Sequence, residues 1–75
     1  MLLSQLLPGQ YAWVTAIAGN GMVARRLPDF GLIAGTRIQC VLKSPHGNPA
    51  AYLIKGAIIA LRNEDAESVA VILEQ

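Results

Sequence analysis

Apolar and polar positions alternate most cleanly over "TRIQCVLK" (36 to 43). Ile38, Cys40 and Leu42 fall on one face, and Arg37, Gln39, Val41 and Lys43 on the other. A period of two is the mark of a half-buried strand. "QYAWVTAI" (10 to 17) is rich in aromatic and β-branched residues and also predicts a strand. Its two faces, Ala12, Val14, Ala16 against Tyr11, Trp13, Thr15, Ile17, are both apolar, so alternation does not choose between them. "AAYLIK" (50 to 55) and "AIIALR" (57 to 62) predict two more strands, separated by a tight turn or bend at Gly56. "VAVIL" (69 to 73) predicts a last short one.

The breaks between these runs have their own chemistry. Leu3 and Leu6 anchor a short segment ahead of Pro8-Gly9, a pair suited to the centre of a type II turn. "AGNG" (18 to 21) interrupts the chain, and "MVARRL" (22 to 27) predicts one or two helical turns with Asn20 as N-cap. Pro28 ends or kinks that helix, and Gly31 takes the left-handed position that closes it. Leu27, Phe30 and Leu32 are expected to point to one side. "SPHGNP" (44 to 49) predicts a loop, and "NEDAES" (63 to 68) a polar turn of helix. The fold class that follows is all-β with one short helix: a small closed or nearly closed barrel of about five strands, one domain over residues 1–75.

Composition sharpens this picture. Of 75 residues 53% are apolar, with mean hydropathy +0.43. A chain so short buries only roughly 60% of the surface it exposes when unfolded. Some apolar surface must therefore face outward, and such a patch implies a partner. Net charge is +1 and the six basic residues are scattered, with Arg25-Arg26 the only basic pair, which argues against nucleic acid. A single cysteine, Cys40, excludes an intrachain disulfide. No run approaches a membrane span, and "MLLSQLLPGQ" lacks a charged start before Pro8-Gly9. A cytoplasmic protein without membrane insertion is expected.

In order, "LLPGQ", "RRLPDFGLIAG", "SPHGNP" and "KGAIIALRNEDA" resemble the FeoA family of ferrous iron transport proteins over residues 3 to 72. The family pattern runs L-x-x-L-x-P-G, R-R-L-x-D-x-G-L-x-P-G, P-x-G-D-P and G-x-x-I-A-L-R-x-x-E-A. The resemblance implies an SH3-like β-barrel and a non-enzymatic accessory role beside FeoB, the membrane protein with a GTPase domain that imports Fe(II). The chain departs from the pattern at Pro28, Ala34, His46 and Asn48. These departures touch turns rather than any chemical group, so the implied fold stands, but they argue against a family-wide charged role for the 45 to 49 loop.

Candidate chemistry is thin. His46 is the only histidine, and no nucleophile motif or phosphate loop accompanies it. The carboxylates Glu64, Asp65 and Glu67 suit a solvated turn. No catalytic residue, cofactor or metal ligand is assigned, because an Fe(II) site needs several His, Cys or carboxylate ligands in one geometry. Cys40 reads as a small apolar filler and His46 as an exposed loop residue. Arg25 and Arg26 have two readings: contact with an acidic partner or phosphate, or an ion pair with Asp29 whose stem covers the core.

In the register that the family resemblance implies, Ala12, Val14, Tyr52, Ile54, Ile59 and Leu61 face inward. Tyr11, Trp13, Leu53 and Ile58 then face outward, and Leu7 stands where the family commonly has a polar residue. The competing possibility is a bulge that turns Trp13 into the core. The candidate partner-binding residues are Leu7, Trp13, Arg25, Arg26, Leu53 and Ile58. The reading is a protein-interaction module that binds the cytoplasmic part of a FeoB-type transporter, with self-association a further possibility. Two rivals are an SH3-like metal-responsive domain acting with a separate DNA-binding chain, and a nucleic-acid-binding small barrel in which Tyr11 and Trp13 stack on bases.

Overall fold

The computed structural model describes residues 1–18 and 25–74. Five strands, β1 (Tyr11–Ile17), β2 (Arg37–Lys43), β3 (Ala50–Ile54), β4 (Ala57–Leu61) and β5 (Val69–Leu73), form one antiparallel sheet in the order β4-β3-β2-β1-β5. A single helical turn, α1 (Asn63–Ala66), links β4 to β5. Two 3₁₀ turns, Leu3–Gln5 and Leu27–Phe30, supply inward leucines. β4 and β5 are the two ends of the sheet and do not pair with each other, so the SH3-like barrel is open along that seam.

Two bulges set which side chains reach the core. On β2, Cys40 faces Tyr52 but Leu42 faces Ala51, so Val41 is an extra residue with no partner on β3. On β1, Val14 faces Val71 but Ala16 faces Ala70, and Thr15 is extra. A bulge reverses the parity of inward and outward positions and bends the strand. Hence Leu42, expected inward with Ile38 and Cys40, is instead 63% exposed. After Thr15, Ala16 turns outward while Ile17 packs against the core. The Thr15 hydroxyl donates to the Ala70 carbonyl (3.1 Å) and holds that bulge in place.

The core inside this curve is built from Leu3, Leu6, Val14, Leu27, Leu32, Ile38, Cys40, Tyr52, Ile54, Val69 and Val71, all essentially without solvent exposure. Tyr52 is the largest of them, and its phenol lies 3.5 Å from the Leu3 carbonyl. Met1 and Val71 exchange two hydrogen bonds and Leu2 bridges Ala70, so the outer edge of β5 is covered.

The "RRLPDFGLIAG" stretch is a corner. Arg25 and Arg26 are helical, and Pro28 lies in the first turn of the following 3₁₀ segment, where its missing N–H is no loss. Gly31 closes the turn at φ +92°, its N–H donating to the Leu27 and Pro28 carbonyls. Glycine is needed there for its φ; a Cβ would also lie 3.1 Å from Lys55 Cδ and would have to push that flexible stem aside. The Thr36 hydroxyl donates to the Gly31 carbonyl (2.9 Å), tying the corner to the start of β2. Leu27 and Leu32 are buried as expected, but Phe30 is 41% exposed. The tight turn swings its ring out of line with theirs. The Asn20 cap lies outside the described residues.

Candidate partner-binding surface

The outward side of β3 and β4 is apolar in two rows, of which the first continues on β2 as Gln39 and the second as Leu42. Leu53 stands directly opposite Ile58 on β4, which is 60% exposed. Two pairs along, on the same face, Leu42, Ala51 and Ala60 line up across the three strands. The β2 bulge is what adds Leu42 to this face, and Val41 is exposed beside it. Strand alternation read without the bulge assigns Leu42 to the core. The turn carrying Leu7 is tied to β2, because the Gly9 N–H donates to the Cys40 carbonyl (2.7 Å). Leu7 itself is exposed.

Trp13 is 43% exposed on β1, between Arg37 of β2 and Ile72 of β5. Ile72 is 63% exposed. Sequence reasoning misses Ile72, because the register of a final five-residue apolar strand is not legible without its partner. Tyr11 and Arg37 separate this Trp13–Ile72 pair from the Leu53–Ile58 pair. The Arg37 guanidinium lies 3.9 Å from the centre of the Tyr11 ring and makes a two-pronged contact with Glu74 at 3.1 and 2.7 Å. That contact raises the Arg37 pKa. The arrangement fixes a charged clasp across β1, β2 and the end of β5.

Arg25 and Arg26 are exposed. Neither is ion-paired with Asp29, and the one salt bridge among the described residues is Arg37–Glu74. Arg26 instead lines a pocket of about 420 Å³ with Phe30, Ile59, Leu61, Glu64 and Asp65, along the open seam beside β4. Basic and acidic groups thus flank one apolar floor.

His46 is exposed in the 44–49 loop, and Cys40 is fully buried. Burial pushes the Cys40 thiol pKa upward, which suppresses thiolate. Among the described residues no three His, Cys, Asp or Glu side chains gather as a metal-binding group. Asn48 serves the fold, since its side-chain Oδ1 accepts the Asn63 N–H (3.0 Å) at the first residue of α1. Among the described residues no helix is long and apolar enough to cross a membrane.

The FeoA domain model matches residues 1–73. The chain is 33% identical over 71 residues to a Porphyromonas gingivalis Fe(2+) transport protein A/Fe(2+) transporter FeoB fusion protein. That match covers 95% of this chain and 8% of the fusion protein, so the chain spans a small part of its relative. The solution structure of Chlorobium tepidum FeoA superposes with TM-score 0.89 at 34% identity, covering 97% of this chain and 70% of that one. Stenotrophomonas maltophilia FeoA, crystallised with zinc and described as a prokaryotic SH3-domain protein, gives TM-score 0.85 at 32% identity over 96% and 89% of the two chains. A manganese-dependent transcriptional repressor shares the fold alone, with TM-score 0.88 at 17% identity over 99% of this chain and 36% of that one. The family match over nearly the whole chain, the matching FeoA structures and the bulged, open five-stranded sheet agree: this chain belongs to the FeoA family.

Proposed function

We propose that the domain is a non-enzymatic accessory protein of ferrous iron uptake that binds the cytoplasmic part of a FeoB-type transporter. One observation carries the choice of partner: the P. gingivalis relative joins the two proteins in one chain. Covalent fusion removes the cost of encounter between partners that work together. The contact is the outward apolar face at Leu53 and Ile58, extended by Leu42 and Leu7. Trp13 with Ile72 forms a second anchor, and Arg25 and Arg26 supply a basic rim. Aromatic and apolar side chains at the centre with charges at the margin make a familiar interface pattern. The domain acts in the cytoplasm and performs no bond chemistry. The repressor-like and nucleic-acid readings lack support of this kind: the repressor likeness is one of fold, and the scattered charge gives no phosphate track.

The test is titration of the purified cytoplasmic domain of the transporter from the same organism, with and without a GTP analogue. Wild-type protein is expected to bind, and Leu53→Asp and Ile58→Asp to weaken binding at least about tenfold while remaining folded. No binding in either nucleotide state overturns the reading.

A further inference from the structure

The two ends of the sheet are treated differently. Met1 and Leu2 cover β5, whereas nothing among the described residues pairs with the outer edge of β4. β3 and β4 are joined by the two-residue turn Lys55–Gly56, with φ +48° and +84°, as in a type I′ hairpin. In such a hairpin the residues flanking the turn, Ile54 and Ala57, exchange both backbone hydrogen bonds. The alternation then gives Tyr52–Ile59 and Ala50–Leu61 the same role. The N–H and C=O groups of Ile58 and Ala60 therefore point away from β3, toward open space. The strand has no bulge, and "AIIAL" has no charge or proline to blunt the edge.

We propose that β4 pairs antiparallel with β4 of a second copy of this chain, centred on Ile59, with Ile58 of each copy opposite Ala60 of the other. Only a register in which outward-pointing residues face each other lets both strands bond. Centring on Ile59 uses all four free groups of each copy and sets a large side chain against a small one. Apolar side chains lie on both faces of the seam: Ile58 on the outer side, and Phe30 with Ile59 on the pocket side, where charged groups flank them. The strand's ends are complementary in charge. Lys55 precedes β4, and Arg62, Glu64 and Asp65, together net negative, follow it. Antiparallel pairing brings the start of one strand to the end of the other. A second copy is thus matched in hydrogen bonding, side-chain size and charge by the same short stretch of sequence.

This inference concerns the isolated chain; it shares Ile58 with the transporter contact proposed above, and its test uses the chain alone. It is tested by sedimentation equilibrium of the protein alone from micromolar to submillimolar concentration, with amide hydrogen exchange across the same range. A monomer–dimer equilibrium is expected, with the Ile58 and Ala60 amides becoming protected as dimer forms. Ala60→Pro removes an outward N–H and leaves the β3 ladder intact, as proline on an edge strand can. It should raise the dimer dissociation constant at least about tenfold, with the far-ultraviolet circular dichroism unchanged. Ile58→Lys, which places a charge on the edge, should do the same and serves if the proline variant fails to fold. A monomer at every concentration overturns the proposal, and so does a dimer indifferent to the variants. Protection of those amides only by a transporter fragment, with the chain itself monomeric, also overturns it.

Discussion

Leu42 stands opposite Ala51 with its side chain in solvent, although Cys40, two residues earlier on the same strand, is fully buried. The bulge at Val41 makes them point opposite ways. Leu42→Lys is therefore expected to change unfolding free energy by no more than about 0.5 kcal/mol. Ile38→Ala, on the buried side before the bulge, should cost about 2–5 kcal/mol. Thermal unfolding of the two variants checks this, and a large loss in Leu42→Lys would place Leu42 in the core.

The buried thiol gives a second measurement. Native Cys40 is expected to react with a thiol reagent far more slowly than in the unfolded chain, because burial both blocks access and suppresses thiolate. Labelling at the rate of the unfolded chain would contradict the register of β2.

Trp13 pairs across the strand with Ile72, and both are exposed. An exposed cross-strand pair contributes roughly 0.2–1 kcal/mol, whereas truncating a buried tryptophan costs about 3–5 kcal/mol. Trp13→Ala should fall in the lower range by chemical denaturation and leave a cooperative transition. A loss in the upper range would mean that the indole is part of the core.

Asn48 and Lys55 offer opposite tests of the turns. Asn48→Ala leaves the Asn63 N–H at the start of α1 without its partner and should cost about 1 kcal/mol. Asn48→Asp keeps the acceptor and should restore that stability. Lys55 holds φ +48°, a conformation that Asn adopts more readily. Lys55→Asn should raise stability by a few tenths to about 1 kcal/mol, reduced by whatever packing the lysine stem makes near Gly31. Melting temperatures of the three variants decide both points.

Stability should fall at alkaline pH. Burial pushes the Tyr52 pKa from 10.0 up to about 12 and also raises that of Cys40. Both groups hold their protons more tightly folded than unfolded, so their contribution is complete below the unfolded values. It is lost as pH rises through the folded ones. Tyr52→Phe should flatten the decline between about pH 10 and 12 in a pH series of unfolding free energies.

The strands, the corner at Gly31 and the family are legible in the order of residues alone. The strands and the corner rest on short-range chemistry: alternation over residues 36 to 43, apolar runs between turn residues, and a glycine where φ must be positive; the family rests on the resemblance of four motifs in order along the chain. The sequence also required an outward apolar surface, since a chain of 75 residues cannot enclose so many apolar side chains. Which residues form that surface depends on how the strands pair. Parity along a strand is reset wherever one strand carries an extra residue, and that is a property of two strands in register. Val41 and Thr15 became bulged residues through their pairing with β3 and β5, and this moved Leu42 outward and Ile17 inward. The open seam is likewise decided by tertiary structure: β4 and β5 read as similar apolar strands, but Met1 and Leu2 lie along β5, and none of the described residues lies along the outer edge of β4.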